Sequence, residues 1–284
     1  MRAENHTPGR RPLDAASLRR AALRPDGLWR EIEVVPSTGS TNADLLARAR
    51  RGEPAGVVLA AEEQTAGRGR MGRGWVSPPR AALTFSVLLS PGVPPARRGW
   101  LPLLAGVAAA AAVTEVTGVQ ARLKWPNDLL ASDGLAGEGK LAGILAEAAG
   151  DAVVVGIGLN VSTEPAEFPR LLAAPGPGAL PATSLRAAGA TALDREELLL
   201  AILSGFERRY RAWQQAGGDP DRSGLRQEYV RWSATIGRTV RAELPGGQAL
   251  SGPAVGVDSD GRLLVRVSSG AEVPVAAADV VHLR

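Results

Sequence analysis

Two apolar runs separated by four residues constrain this chain more than any other feature. Lys140-Leu141-Ala142-Gly143-Ile144-Leu145-Ala146-Glu147 is followed, after Ala148-Ala149-Gly150-Asp151, by Ala152-Val153-Val154-Val155-Gly156-Ile157-Gly158-Leu159-Asn160-Val161. Their lengths and β-branched content predict two adjacent antiparallel strands. Glycine in a strand interior costs stability, so glycines at 143, 156 and 158 imply that something packs directly on the backbone there.

Other segments supply the frame around them. Ile32 to Val35, Gly56 to Ala61 and Leu83 to Leu89 read as strands, and Arg122 to Trp125 as a strand ended by Pro126. Asn127 and Asp128 are expected at the turn that follows, and Ser132 to Gly139 as a hairpin. Leu101 to Thr117 predicts an Ala-rich helix stopped by Gly118. Asp194 to Gln215 predicts an amphipathic helix whose Leu199, Leu203, Phe206, Tyr210 and Trp213 face the core. Short alternating runs with a Pro245-Gly246-Gly247 turn and an Asp258-Ser259-Asp260-Gly261 turn fill the last 50 or so residues, the texture of a small β-barrel. The division expected is a flexible N-terminal arm over 1–28, containing one short helix from Asp14 to Leu23, a main domain over 29–233 and a barrel over 235–284.

Composition removes several classes of chemistry. With no cysteine among 284 residues, disulfides, thiolate metal sites and thiol nucleophiles are excluded. The two histidines, His6 and His282, stand near opposite ends of the chain, so neither a Ser-His-Asp triad nor a multi-histidine metal site is expected. Trp100 to Val113 is apolar but short, and reads as a buried helix, not a membrane span. The N-terminus lacks the apolar core of a secretory signal, and the cytoplasm is the compartment expected. The net charge of +4 does not compel a nucleic-acid partner.

A second site feature precedes the glycine-bearing strands. In Gly67-Arg68-Gly69-Arg70-Met71-Gly72-Arg73-Gly74-Trp75 four glycines interleave with three arginines. Such a loop is poorly ordered alone and suited to close around an anion. Rare residues mark its partners. Only two of the 33 basic residues are lysines, Lys124 and Lys140, and three of the four asparagines are Asn42, Asn127 and Asn160. A lysine surviving in an arginine-rich chain suggests a site that needs a compact ammonium. Ser40, Thr41 and Asn42 are all helix N-cap types, serving either as a simple cap or as the lining of a polar pocket. Together these groups suit a substrate carboxylate beside a polyphosphate.

The Gly/Arg loop and the motifs Lys124-Trp125-Pro126-Asn127-Asp128, Lys140 to Glu147 and Gly156 to Val161, in this order across residues 30 to 284, resemble those of the biotin–protein ligases. The resemblance implies an α+β fold: a mixed β-sheet with helices like the class II synthetase core, followed by an SH3-like barrel. It implies ATP-dependent formation of biotinyl-5′-AMP and transfer of biotin to a lysine of a biotin carboxyl carrier domain of acetyl-CoA carboxylase or a related carboxylase. It places Ser40, Thr41, Asn42, Gln64, Arg68, Gly69, Arg70 and Lys140 at biotin or its adenylate, and Arg73, Trp75, Asn127, Gly143 and Asn160 are further candidates for the same site.

The chemistry asks for positioned cations rather than a base, because carboxylate and triphosphate repel each other. Lys140 and Arg70 would meet the reacting groups, and Lys124 would act on phosphate or on the incoming amine. Asp128 would face either Mg²⁺ or that amine. Trp75 and Trp125 would wall the pocket or lie in the core, and Asn160 would face the adenylate or hold a strand turn. About 30 residues precede the first strand, too few for a winged helix, so a ligase that binds no DNA is expected. The oligomeric state stays open, a homodimer included. A lipoate–protein ligase or octanoyltransferase is the enzymatic rival, and an Arg-Gly RNA-binding module the rival of another class.

Overall fold

In a computed structural model the chain is described over residues 10–132, 137–168, 180–190, 192–244, 247–276 and 278–283. The expected Ser132–Gly139 hairpin and the Pro245-Gly246-Gly247 turn fall largely outside these residues.

Seven strands form one mixed sheet: β1 (Glu31–Val35), β2 (Val57–Ala61), β5 (Ala82–Leu89), β6 (Ala121–Lys124), β7 (Asp128–Ser132), β8 (Glu138–Ala149) and β9 (Ala152–Asn160), in the order β1-β2-β5-β9-β8-β7-β6. Only β1 and β2 run parallel; every other pair is antiparallel. The strand pair expected from the sequence is present and longer than anticipated. Ala149 pairs with Ala152, so Gly150 and Asp151 alone make the turn, with Gly150 at φ 62°. Asp128 begins a strand instead of occupying a turn, because it pairs with Lys124 across β6 and β7.

Strand parity gives the sheet two different faces. On one, Leu83, Phe85, Val87, Val155, Ile157, Leu159, Ala142 and Ile144 join the main core. Helices α3 (Trp100–Thr117) and α4 (Arg195–Gln215) contribute to the same core. Helix α3 is long and apolar enough to cross a membrane by length and composition, but here it lies buried within the fold, as its reading as a core helix anticipates. On the other face α2 (Thr41–Arg50) covers a small second cluster of Leu45, Leu46, Val57, Leu59, Leu88 and Val154. Beyond that cluster the same face carries glycines and hydroxyls.

The N-terminal arm is not a free lead-in within the described residues. Asp14 caps α1 (Ala15–Ala22), accepting from the amides of Ala16 and Ser17. Leu13, Leu18 and Trp29 are buried in the main core, and this apolar anchoring replaces the expected flexibility. Arg10 pairs with Glu167 at 2.8 Å, and the Leu13 amide donates to Glu62 at 2.6 Å.

After α5 (Leu225–Trp232) the chain forms a five-stranded antiparallel sheet in the order β13-β12-β11-β10-β14. Its strands are β10 (Thr239–Glu243), β11 (Ala249–Val257), β12 (Leu263–Arg266), β13 (Glu272–Val275) and β14 (Asp279–His282). Two buried tryptophans bind it to the main domain. Trp125 Nε1 donates to the Gly261 carbonyl at 3.1 Å, and Trp100 Nε1 reaches the Asp258 and Ser259 carbonyls at 3.2 and 3.1 Å. Gly99 packs so closely on the Asp260 carbonyl that a Cβ there would lie 2.2 Å from its oxygen, so only glycine permits this contact.

Candidate functional site

The floor of the site follows from register. On the face away from the main core, Thr84, Gly158 and Gly143 lie side by side across β5, β9 and β8, and Ser86, Gly156 and Leu145 form the next row. The third row is Leu88, Val154 and Glu147. Missing side chains at the glycines leave a depression between α2 and the Gly/Arg loop. The resulting cavity, of about 120 Å³, is lined by Ser40, Thr41, Asn42, Gln64, Arg68, Gly69, Arg70, Arg73, Trp75, Asn127, Lys140 and Gly143, together with Thr84, Ser86 and the two β9 glycines.

Two side chains rest directly on this floor. A Cβ at Gly158 would lie 2.4 Å from the Trp75 ring, and one at Gly156 would lie 2.1 Å from Asn42 Oδ1. Strand glycine therefore makes room here for the protein's own side chains as well as for a ligand. Trp75 stands over Gly143 and Gly158 as a wall of the pocket. Trp125 takes the other alternative and is core, 2% exposed.

At the inner end Ser40 caps α2, its Oγ accepting from the Ala43 amide at 3.4 Å. Thr41 and Asn42 follow in the first helical turn and point into the fold. The Thr41 amide donates to Gln64 Oε1 at 2.8 Å, which fixes the start of the loop against the helix N-terminus. Asn42 Nδ2 donates to Glu147 Oε2 at 2.8 Å and to the Leu145 carbonyl at 3.2 Å. Ser86 Oγ donates to Asn42 Oδ1 at 2.6 Å. All of these are neutral groups except Glu147, and Ser86 is fully buried.

The outer end is cationic. The Gly/Arg loop folds as a small hairpin, β3 (Gly67–Arg68) on β4 (Gly74–Trp75), where a loop poorly ordered on its own and closing around an anion was expected. Met71 (φ 55°) and Gly72 (φ 74°) turn its tip. The order comes from contacts at its flanks: Arg70 Nη1 donates to Asn127 Oδ1 at 3.2 Å, and Arg73 pairs with Asp279 of β14 at 2.7 Å. Arg68 is exposed at the rim.

Lys140 Nζ meets Asp128 Oδ1 at 2.6 Å. Asn127 is held by reciprocal bonds with Ile144, each 2.9 Å. Burial lowers the Lys124 ammonium below its ordinary value, with Asp128 opposing. Burial lowers Arg70 likewise, with Asp279 opposing. Lys124 is thus part of the charged cluster around Asp128, although it does not line the cavity.

Asn160 lies apart from the cavity. It is buried, and its Nδ2 donates to the Thr183 carbonyl at 2.9 Å, tying the end of β9 to the segment that runs beside Lys140. Among the described residues no cluster of three or more His, Cys, Asp or Glu side chains is placed to hold a metal ion. A second cavity of about 480 Å³ opens beside the first and shares Arg70, Asn127, Ile144 and Leu145 with it. It runs between the start of α3 and the 260–262 turn of the C-terminal sheet.

Four contributors escaped the reading of the sequence. Thr84 and Ser86 fell inside a run read only as a strand, Glu147 was only the last letter of a motif, and Asp279 lies more than 200 residues from its partner.

Comparison with known proteins agrees with this geometry. Residues 32–163 match the biotin/lipoate A/B protein ligase family, and residues 235–283 match the biotin protein ligase C-terminal domain. The chain is 45% identical to the biotin–[acetyl-CoA-carboxylase] ligase of Mycobacterium tuberculosis over 97% of both proteins. It is 34% identical to the bifunctional ligase/repressor BirA of Bacillus subtilis, over 87% of this chain and 72% of that protein. The biotin protein ligase of Aquifex aeolicus, solved with biotin and ATP, superposes with a TM-score of 0.71 at 26% identity, covering 90% of this chain and all of that one. Fold, site and sequence together establish that the chain belongs to the biotin protein ligase family.

Proposed function

We propose that this protein activates biotin with ATP and transfers it to a lysine of a biotin carboxyl carrier domain. The observation that carries the reading is one glycine-floored cavity with neutral hydrogen-bonding groups at one end and Lys140, Arg70 and Asn127 at the other. That polarity matches a ligand with an uncharged heterocyclic head and a carboxylate tail. The head rests beside Thr41, Asn42 and Gln64, and the tail extends towards Lys140.

In the first step a carboxylate oxygen of biotin attacks the α-phosphorus of ATP. The bond from that phosphorus to the bridging oxygen breaks, giving biotinyl-5′-AMP and pyrophosphate. Lys140 gives up Asp128 and places its ammonium between the two anions, while Arg70 and Arg68 cover the α-phosphate from the hairpin. Positioned donors of this kind contribute roughly 2.7–4 kcal/mol each. In the second step the carrier amine attacks the acyl carbon and AMP leaves. Asp128, freed from Lys140, accepts the amine's proton, and the Lys124 ammonium in the same charged cluster acts on the departing phosphate. The second cavity, opening at Arg70 and Asn127, gives the acceptor its approach. Asn160 supports the adenylate indirectly, by holding Thr183.

Magnesium arriving with ATP would be held mostly by phosphate oxygens and water, with Asp128 as a protein carboxylate to receive it. It would neutralise phosphate charge there. This enzyme would work in the cytoplasm, and residues 10–28 pack on the catalytic domain through Leu13 and Leu18.

The test is calorimetry with biotin and then ATP, followed by transfer of labelled biotin to a carrier domain. Saturable biotin binding and ATP-dependent label transfer are expected. Binding of lipoate without biotin would move the assignment to the lipoate branch.

A further inference from the structure

We propose that Glu147 and Ser86 act as positioning residues that set the direction of every proton in the inner end of the pocket, so that the pocket accepts only a ligand carrying an N–H donor there. The inference rests on the reading of this cavity as the biotin site and adds the device that makes it selective.

The argument is a count of protons. The Asn42 amide faces two acceptors on one side, Glu147 Oε2 at 2.8 Å and the Leu145 carbonyl at 3.2 Å. Only its NH₂ can meet them, since a carboxylate at neutral pH and a carbonyl donate nothing. Its carbonyl oxygen must therefore face Ser86, and Ser86 spends its one proton on Asn42 Oδ1 at 2.6 Å. Ser86 Oγ and Thr41 Oγ1 are 2.7 Å apart, and geometry alone lets either donate. With the Ser86 proton committed, Thr41 must be the donor.

The consequence appears at Gln64. Thr41 Oγ1 also lies 3.1 Å from Gln64 Oε1, close enough for a hydrogen bond. But Thr41 has one hydroxyl proton, and the shorter contact to Ser86 takes it. Gln64 cannot supply a proton either, because its Oε1 is fixed towards Thr41 by the backbone amide at 2.8 Å. Two acceptor oxygens thus stand 3.1 Å apart with no proton between them. A ligand N–H directed at the pair satisfies both. Two oxygens that face each other with no proton between them repel, although each has another partner, so a ligand without the donor is rejected more strongly than a lost hydrogen bond alone would imply. A ureido N–H meets this demand, and the dithiolane ring of lipoate has nothing to offer it.

Gly156 makes the chain geometrically feasible. A Cβ there would lie 2.1 Å from Asn42 Oδ1 and 3.0 Å from Ser86 Oγ, between the donor and its acceptor.

The experiment is calorimetric titration of biotin into the full-length protein and four variants. Glu147→Gln still offers an oxygen to Asn42 and should weaken binding about threefold, whereas Asn42→Asp sets two carboxylates against each other and should weaken it at least about 100-fold. The double variant Asn42→Asp/Glu147→Gln reverses the donor and acceptor at this contact but leaves an oxygen facing Ser86. It should recover at least about tenfold over Asn42→Asp alone.

Ser86→Ala returns the Thr41 proton to Gln64. Binding of biotin should fall about tenfold, and the preference for biotin over its ureido N-methyl analogues should shrink by a similar factor. Recovery in the double variant together with a smaller preference in Ser86→Ala would support the relay. If Asn42→Asp does not fold, the Ser86→Ala preference alone decides. Normal biotin binding by the wild type, with no recovery in the double variant or an unchanged preference in Ser86→Ala, would overturn the relay alone. Wild-type protein that binds lipoate and ignores biotin would overturn the assignment of the site, and the relay with it.

Discussion

The two ends of the cavity are built on opposite plans. The inner end uses neutral groups on a strand and a helix N-terminus, and Thr41, Asn42 and Ser86 are all at most 4% exposed. The outer end uses full charges, and Arg68, Arg70 and Arg73 stand on a two-stranded hairpin whose outer side is open to solvent. Buried neutral hydrogen bonds have strict geometry and little screening, so they suit recognition of a fixed shape. Flexible arginines rearrange at small cost, so they suit a partner whose charge changes during a reaction. Substitutions at the inner end should therefore act on affinity, and those at the outer end on rate.

The largest expected effect is at the inner end. Gly156→Val places methyl groups where Asn42 Oδ1 and Ser86 Oγ meet, and neither can retreat without giving up a buried partner. Biotin affinity should fall by at least about 1,000-fold, while overpacking of this kind costs the fold about 1–3 kcal/mol. Calorimetry alongside thermal melting separates the two. Retention of wild-type affinity would show that the inner end is not preformed.

Next is the outer end. Lys140→Arg keeps the charge but replaces a compact ammonium with a broad fork in the space between Asp128 and the floor, where a Cβ on Gly143 would already lie 3.5 Å from Lys140 Nζ. Adenylate formation, followed by pyrophosphate release, should slow about 100-fold, with biotin affinity changed by only a few-fold. A variant of unaltered rate would remove Lys140 from the chemistry.

The same contrast explains what could be read before the structure. The β8–β9 pair, the caps Ser40 and Asp194, the buried α3 and the C-terminal sheet all follow from patterns local to the chain. Lys140, Arg70, Asn127 and the Ser40–Asn42 segment line one cavity, and each stood out in the sequence because it sits in a short motif of unusual composition. Ser86 was not recognisable: polar residues alternating with Leu83, Phe85 and Val87 look like a wet strand face, and only the presence of α2 over that face makes it buried. Asn160 has the composition of a site residue, but its Nδ2 is spent on Thr183. Asp279 is in reach of Arg73 only because Trp100 and Trp125 dock the C-terminal sheet, a long-range event with no local signal.

That docking yields a smaller prediction. Asp279→Ala frees Arg73 and unpins the hairpin from β14. Because both side chains are well exposed, the pair contributes no more than about 0.2–1 kcal/mol. The rate of biotinyl-5′-AMP loss, followed by stopped flow, should rise about two- to fivefold, with biotin affinity nearly unchanged. An equal effect on both would mean that the hairpin and the inner end are one mechanical unit.

The smallest effect concerns pH and tests whether the outer end depends on the C-terminal sheet at all. His282 Nε2 lies 3.0 Å from Thr235 Oγ1, and Nδ1 lies 3.3 Å from Arg238. Burial pushes its pKa down to about 4 from 6.5, aided by Lys124 and Arg238 and opposed by Glu138. The folded state therefore binds this proton less readily than the unfolded chain. Between about pH 6.5 and 4 the unfolded state holds more protons, so the histidine's contribution is present in full above that window and is lost as pH falls through it. His282→Gln keeps a polar group beside Thr235 but cannot take up the proton. Thermal melts across the window should show a shallower acid decline for the variant, and the two proteins should differ least near neutral pH. If the charges around Lys124 depend on this same packing, acid should also weaken ATP-dependent label transfer more steeply in the wild type than in His282→Gln. Parallel melting curves with parallel activity profiles would mean that the sheet carries Asp279 to the hairpin but leaves the charges around Lys124 untouched.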